Sequence, residues 1–240
     1  MGKLASKLKS ERRPFVSAVI VAGGSGARFG GDKMMVPLAG APVLAHTLRA
    51  FQASPMIDEI ILVAREPALA AVATLCQEHG ISKTALVVAG GEERIHSCYA
   101  GVMSTSEKAG IIAIHDGARP LVTEKIIEDA VWAAYRQLAA APAIPLRDTI
   151  KRAENGVVTE TPERAGLFAV QTPQCFRAEL IRAALQDAVE NAPGITDDCM
   201  AVERIGGKIF LTEGSEENIK ITTPLDLELA ELILKRREQA

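Results

Sequence analysis

A glycine-rich segment that carries two cations is the part of this sequence most suited to chemistry. The stretch AGGSGARFGGDK, residues 22–33, holds five glycines together with Arg28 and Lys33. Glycines allow the backbone to approach an anion closely and to turn its amide groups toward it, and the two cations neutralise bound negative charge. The segment therefore predicts a phosphate-binding loop.

The spacing within this loop argues against two common phosphate-binding motifs. A dinucleotide fingerprint needs Gly-x-Gly-x-x-Gly, but Phe29 stands where the third glycine belongs, and Arg65 ends the next predicted strand in place of an acid for a ribose. A Walker loop needs Gly-Lys followed by Ser or Thr, whereas here Gly31 is followed by Asp32, Lys33 and a methionine. A dinucleotide cofactor is disfavoured.

A second candidate lies in HDGARP, residues 115–120. Asp116 ends a predicted strand, a position suited to holding an acceptor hydroxyl or a magnesium ion, and Gly117 permits close approach of a nucleotide. Arg119 can fork onto phosphate or fix the loop. His115 closes a buried strand, and we expect it to be structural rather than catalytic.

Four short apolar runs form the elements that must position these residues: 17–23, 59–65, 84–90 and 111–117. They are nearly continuous in Val, Ile, Leu and Ala, as in strands that are covered on both faces. Helix candidates lie at 41–52, 67–79, 94–105 and 124–140, the last with Thr123 as its cap. This alternation predicts an α/β fold whose ligands bind at the carboxyl ends of parallel strands.

The second half of the chain does not continue this regular alternation of strands and helices. Two extended stretches surround Asn155-Gly156, a strong hairpin signal, and we expect an arm at about 142–170 that leaves the main sheet. A helix at about 177–190, a short helix after Thr196, a strand at 208–214 and a last helix from Pro224 follow. The economical prediction is a disordered lead-in over 1–14 and one domain over 15–240.

Composition limits the classes of function. The 240 residues carry 27 Lys and Arg against 30 Asp and Glu, a net charge of -3, so any anion site is local and a nucleic-acid coat is excluded. The four cysteines form no Cys-x-x-Cys pair, which favours thiols in a reducing cytoplasm over a zinc site or disulfides. No apolar run is long enough for a membrane span.

Several ordered motifs join the glycine-rich loop: HDGARP, PLRDTIKR (145–152), QTPQCF (171–176), TDD (196–198) and ENIKITTPLDLELAE (217–231). Over about residues 15–238 this series resembles the 2-C-methyl-D-erythritol 4-phosphate cytidylyltransferases of the non-mevalonate isoprenoid pathway. The resemblance implies a three-layer Rossmann-like nucleotidyltransferase fold with a mostly parallel twisted sheet and a projecting β-arm. It also implies a cytoplasmic homodimer that transfers CMP from CTP to methylerythritol phosphate with Mg2+ and releases pyrophosphate.

The resemblance also assigns roles to individual residues. The catalytic set is Arg28, Lys33, Arg164 and Lys220. Nucleotide binding falls to Ala22, Gly23, Gly24, Gly26, Gly91, Glu92, Ser97 and Gly117. Acceptor binding falls to Asp116, Arg119, Thr149, Thr172 and Thr196. The protein ligands of the metal stay open, with Asp116 as one candidate beside the phosphate oxygens.

The arm has a particular part in this picture. By similarity, Thr149 and Arg164 reach into the neighbouring subunit's site, which makes the active site composite. Thr172 and Thr196 could instead be local turn or cap residues. Asp197 and Asp198 look like acids at a helix N-terminus, and we leave them outside the site.

Three departures from the family pattern concern nucleotide contacts: Met34 after Lys33, Glu92 where Asp is frequent, and Cys199 after TDD. A cytidylyltransferase for another polyol phosphate, such as ribitol 5-phosphate, is the nearest alternative, since its nucleotide half would look much the same. A nucleotide-binding module without turnover is a further alternative. The intact cations and Asp116 argue against it.

Overall fold

An eight-stranded sheet forms the centre of the computed structural model, which describes residues 13–24, 29, 31–192 and 194–239. Most of the predicted lead-in, and the predicted site residues Gly26 and Arg28, lie outside the described residues. In chain order the strands are β1 (Val16–Val21), β2 (Pro37–Leu38), β3 (Ala41–Pro42), β4 (Glu59–Ala64), β5 (Thr84–Ala89), β6 (Ile111–Asp116), β7 (Ala139–Pro145), β8 (Arg152–Glu154), β9 (Val157–Glu160), β10 (Phe168–Val170), β11 (Gln174–Arg177) and β12 (Phe210–Glu213).

Helices cover this sheet on both faces. They are α1 (Val43–Ala53), α2 (Leu69–Glu78), α3 (Arg94–Met103), α4 (Glu124–Gln137), α5 (Ala178–Asn191), α6 (Asp198–Arg204) and α7 (Pro224–Glu238), and short 3-10 turns lie at Glu66–Ala68 and Arg164–Gly166. Among the described residues no helix is both long and apolar enough to cross a membrane. The predicted α/β fold is confirmed.

The four strands predicted from apolar runs lie side by side and parallel in the order β6-β1-β4-β5. Successive residues of β1 point to opposite faces, so that Ile20 packs in the core beneath α1, α2 and α4 while Val19 packs beneath α3 and α5. Burial on both faces explains why these strands have no polar alternation.

The far half of the sheet is mixed. β11 runs antiparallel to both β6 and β7, β10 runs antiparallel to β7, and β12 runs parallel to β7. β7 was not predicted, because the helix expected over 124–140 includes residues 139 and 140. That helix ends at Gln137, and Leu138, the residue after it, has a φ of 76°. Alanine favours helices, and the run Ala139–Ala141 carries no side-chain signal for a strand.

The segment predicted as an arm divides into two parts. Its first and last residues, in β7 and β10, belong to the central sheet. Between them β8 and β9 form a separate two-stranded hairpin whose residues are all exposed. Asn155 and Gly156 at its tip have φ values of 49° and 82°, as the predicted turn requires.

The C-terminal helix closes the side of the sheet near the first loop. Thr223 caps α7 in a capping box with Asp226, as its position before Pro224 predicts. Ala230 and Ile233 of α7 pack with Leu38 and Ile221 in a third apolar cluster. The helix therefore anchors residues 217–222, which precede it, against the edge of the sheet where the strands end.

Candidate active site

A cleft of about 550 Å³ opens at the carboxyl ends of β1, β4 and β6. It is lined by Val21, Gly23, Gly24, Phe29, Lys33, Met34, Arg65, Gly91, Glu92, Glu93, Arg94, Ser97, Asp116, Ala118, Lys220 and Thr222. This is the edge at which the parallel strands predicted a ligand site.

The loop after β1 supplies one wall. Gly23 and Gly24 line the cleft, whereas Ala22 is buried behind them and donates its backbone N–H to the Val63 carbonyl at 2.7 Å. Lys33 also lines the cleft, and its Nζ donates to the backbone carbonyl of Ile221 at 2.7 Å. This bond ties the phosphate-binding loop predicted near the N-terminus to the segment before α7.

Asp116, at the end of β6, is the charge on which the cations converge. Lys220 Nζ lies 3.0 Å and Arg119 Nε 3.3 Å from its Oδ2, and Arg94 Nε lies 3.9 Å from its Oδ1. Burial would raise the pKa of Asp116, but the charges of Lys220, Arg94 and Arg119 outweigh it and lower that pKa. The carboxylate therefore stays ionised throughout the physiological pH range.

Backbone contacts hold Lys220 in place. Arg119 Nη1 donates to the Asn218 carbonyl at 2.7 Å, and the Ile221 N–H donates to the Ala118 carbonyl at 2.8 Å. Asn218 is fully buried, and its Nδ2 donates to the Thr172 carbonyl at 3.0 Å. Arg119 thus fixes the loop, one of the two roles that the sequence left open for it.

The segment after β5 supplies the opposite wall. Gly91, Glu92 and Ser97 line the cleft, as expected for residues near a base or ribose. A Cβ on Gly91 would lie 2.4 Å from the Cβ of His96, so the glycine lets the loop fold back onto α3. Gly117 is not part of the lining; it packs beneath the first loop, where a Cβ would lie 3.1 Å from the Val21 carbonyl oxygen.

The sequence assigns no role to Arg94 and places Asp198 at a helix N-terminus outside the site. Arg94 lines the cleft, and its Nη2 lies 2.7 Å from Oδ2 of the fully buried Asp198. Burial would lower the pKa of Arg94, but the charges of Asp198 and Asp116 outweigh it and raise that pKa. A cation in the first turn of a helix opposes the helix dipole, so Arg94 at the start of α3 was the signal that an acidic partner is needed.

His115 and Thr172 lie behind Asp116. His115 is fully buried; because a carbonyl can only accept, its Nε2 donates to the Arg119 carbonyl at 3.2 Å, and its Nδ1 accepts from the Thr172 hydroxyl at 2.9 Å. That hydroxyl also accepts the Asp116 N–H at 3.2 Å. The structural role expected of His115 fits this position. Thr172 was expected to face the acceptor, but its hydroxyl hydrogen-bonds His115 and the Asp116 N–H inside the protein.

Thr149, Arg164 and Thr196 are exposed and are not part of the cleft lining. Arg164 Nη1 donates to the Arg147 carbonyl, and Thr196 Oγ1 donates to Met200 Sδ at 3.6 Å. Asp197 caps α6 through the Met200 N–H, as its position predicted. The acceptor roles of the three exposed residues stay predictions.

The residues available for a metal are few. Within the described part of the chain no three His, Cys, Asp or Glu side chains form a cluster that could hold a metal ion. Asp116, Glu92 and Glu93 are the carboxylates among the described residues that line the cleft. Such a donor set fits Mg2+, which typically binds through one or two carboxylates together with the phosphates of a substrate.

Comparison with known sequences identifies relatives over nearly the whole chain. The family model for 2-C-methyl-D-erythritol 4-phosphate cytidylyltransferase matches residues 16–236. Proteins of that name from Caldanaerobacter subterraneus subsp. tengcongensis and Halalkalibacterium halodurans are 45% and 43% identical. The matches cover 92% and 93% of this chain, and 99% and 98% of those two proteins.

Solved structures give the same picture. The 4-diphosphocytidyl-2C-methyl-D-erythritol synthase from Anaerococcus prevotii superposes with a TM-score of 0.82 at 28% identity and covers 92% of this chain and 96% of its own. The 2-C-methyl-D-erythritol 4-phosphate cytidylyltransferase from Thermus thermophilus superposes with a TM-score of 0.75, also at 28% identity, over 90% and 98% of the two chains.

The burial of His115 predicts how stability depends on pH. Burial lowers the pKa of His115 to about 3, so the unfolded chain takes up a proton near pH 6.5 that the folded chain refuses. The contribution of this pKa difference to the free energy of unfolding is fully present above pH 6.5 and is lost as the pH falls toward 3. Between about pH 7.5 and about pH 5, the wild type should lose about 2 kcal/mol relative to His115→Asn.

Urea unfolding of both proteins at the two pH values measures this difference. The variant removes the titrating ring while keeping a hydrogen-bonding side chain, so all other titrating groups cancel in the comparison. Equal losses in the two proteins would contradict the placement of a neutral His115 behind Asp116.

Proposed function

Because the chain belongs to the 2-C-methyl-D-erythritol 4-phosphate cytidylyltransferase family, we propose how its cleft transfers CMP from CTP to methylerythritol phosphate. The reaction yields 4-diphosphocytidyl-2-C-methyl-D-erythritol and pyrophosphate, and it serves isoprenoid precursor synthesis by the non-mevalonate pathway. The enzyme is a nucleotidyltransferase. Its cleft divides into a nucleotide side, a group of cations at the reacting phosphate and an acceptor side.

CTP occupies the side of the cleft between the glycine-rich loop and the start of α3. Gly23 and Gly24 let the backbone approach the nucleotide, and Glu92 and Ser97 on the facing wall are placed for the base or ribose. Lys33 binds the triphosphate. The family resemblance assigns Gly26 and Arg28 to the same loop as CTP contacts. Both lie outside the described residues.

The chemistry is attack by a phosphate oxygen of methylerythritol phosphate on the α-phosphorus of CTP, with pyrophosphate as the leaving group. No covalent enzyme intermediate is needed, so catalysis consists of alignment and of stabilising the charge on the reacting phosphate. Lys33 and Lys220 supply that stabilisation. The observation that carries this proposal is their convergence in one cleft from opposite ends of the chain, through the Lys33–Ile221 and Lys220–Asp116 contacts.

Mg2+ is proposed as the cofactor. The phosphate oxygens of CTP and water would hold the ion, because Oδ2 of Asp116 already pairs with Lys220 and Arg119 and Oδ1 is assigned to the acceptor. When bound, the ion neutralises charge on the triphosphate. Asp116 and Arg119 are also assigned to the acceptor side, where the carboxylate can accept a hydrogen bond from an acceptor hydroxyl.

A homodimer is proposed to complete the acceptor site. Thr149 and Arg164 flank the exposed hairpin of β8 and β9 and lie outside the cleft of their own chain, as residues that act in a neighbouring chain would. Val157 and Val158 on the hairpin are 67% and 55% exposed, which supplies apolar surface for such a contact. Thr196 stays a proposed acceptor contact beside α6.

A cytoplasmic location is proposed from the cysteines, all four of which are buried free thiols. The sequence relatives are named for methylerythritol phosphate, and this favours that acceptor over ribitol 5-phosphate. The convergent Lys33, Asp116 and Lys220 likewise favour turnover over a nucleotide-binding module.

The proposed reaction predicts which nucleotide and which cation are needed. With Mg2+ and methylerythritol phosphate, pyrophosphate release should be fastest with CTP, above ATP, GTP and UTP, and should stop without the acceptor.

Lys220→Ala should lower kcat by about 100- to 1,000-fold with little change in KM for CTP, because the lysine stabilises charge that develops in the transition state. Lys125→Ala, at an exposed lysine of α4, is the control. A fully active Lys220→Ala enzyme would rule out this assignment.

The composite site predicts complementation between two inactive variants. Arg164→Ala damages the arm and Lys220→Ala the cleft, so a heterodimer contains one site with both lesions and one intact site. After subunit exchange, the equimolar mixture should regain about a quarter of the wild-type rate, because half of the dimers are mixed and half of their sites are intact. A mixture no more active than the mean of the two variants would show that Arg164 acts in its own chain or not at all.

A further inference from the structure

Arg94 stands between two carboxylates and contacts only one of them closely. Its Nη2 lies 2.7 Å from Asp198 Oδ2, within hydrogen-bond distance, whereas its Nε lies 3.9 Å from Asp116 Oδ1, which is too long for a hydrogen bond. The two acids come from different elements, Asp116 from the end of β6 and Asp198 from the start of α6. The guanidinium is therefore drawn toward α6 and away from the end of β6.

Asp198 is held firmly enough to keep Arg94 there. It is fully buried, and the backbone N–H groups of Asp198 and Cys199 both donate to Oε1 of Gln174, at 3.0 and 3.1 Å. Gln174 lies in β11, a strand of the central sheet. The backbone that carries the Asp198 carboxylate is thus anchored to the central sheet.

The contacts of Asp116 are divided between its two oxygens. Lys220 and Arg119 approach Asp116 at Oδ2, whereas Arg94 approaches it at Oδ1, at 3.9 Å. Asp116 lines the cleft. Oδ2 thus anchors Lys220 and Arg119, and the 3.9 Å separation means that Arg94 Nε makes no hydrogen bond to Oδ1.

We propose that Asp198 is a positioning residue that keeps Arg94 off Asp116, so that Oδ1 of Asp116 can accept a hydrogen bond from the acceptor hydroxyl. This inference rests on the proposed function, in which Asp116 holds the acceptor. Arg94 is 28% exposed, so it needs a counter-ion. Without the charge of Asp198, the guanidinium of Arg94 turns to the remaining carboxylate, Asp116, and occupies its Oδ1.

The test compares Asp198→Asn with the double variant Arg94→Met/Asp198→Asn, using CTP, methylerythritol phosphate and Mg2+. The single variant should lose about 10- to 100-fold in kcat/KM for methylerythritol phosphate, the value of a hydrogen bond to a charged group, with KM for CTP nearly unchanged. The double variant should recover to within about fivefold of the wild type, because no guanidinium is left to cover Asp116. A loss of folding alone would lower kcat by the same factor whichever substrate is varied and would leave both KM values unchanged, because it reduces only the fraction of active enzyme.

Asp187→Asn is the matched control. Asp187 lies in α5 and forms an exposed ion pair with Arg204 of α6, the helix that also holds Asp198. Normal acceptor kinetics in Asp198→Asn, or a double variant no better than the single one, would overturn the proposal, the latter by showing that Arg94 itself contacts substrate. If Asp198→Asn does not fold, the double variant decides alone: near-normal acceptor kinetics support the proposal, and their loss overturns it. A wild-type chain without cytidylyl transfer would overturn the proposed function, and this inference with it.

Discussion

The buried carboxylate of Asp116 is the constraint on which the site depends. An ionised acid that is 8% exposed must be paired, and its partners come from α3, from the turn after β6 and from the segment before α7. The same three cations would otherwise repel one another across a narrow cleft. Asp116 therefore determines where Arg119 and Lys220 stand, while Asp198 holds Arg94. It also determines how much positive charge is left to bind two phosphorylated substrates.

The topology of the sheet explains why this constraint can be met. From β1 the chain adds β4 and β5 on one side and then crosses back to place β6 on the other, so the strand order reverses at β1. A crevice at such a switch point is where open α/β sheets bind ligands. Gln174 and Thr172, in and just before β11, then support α6 and Asp116 from behind. The mixed half of the sheet thus supports the parallel half.

The sequence predicted the parts of this arrangement that have local signals. Apolar runs marked the parallel strands, glycines marked the first loop, and Lys33, Asp116 and Lys220 followed from motifs. β7 could not be predicted because an alanine run fits a helix as well as a buried strand. Arg94 at a helix start indicates that an acidic partner is needed, but it does not identify Asp198, which lies 104 positions away. The inward turn of the Thr172 hydroxyl depends on His115 and has no local signal.

Replacing Asp116 by Asn is the most direct test that this one negative charge organises the site. Asn keeps the shape of the side chain and removes the charge, so Arg119 and Lys220 lose their common anionic partner. We expect kcat/KM for methylerythritol phosphate to fall by about 100- to 1,000-fold in a variant that still folds and binds CTP. Activity within about threefold of the wild type would contradict this role of Asp116, because the cations would then be held in place without the carboxylate.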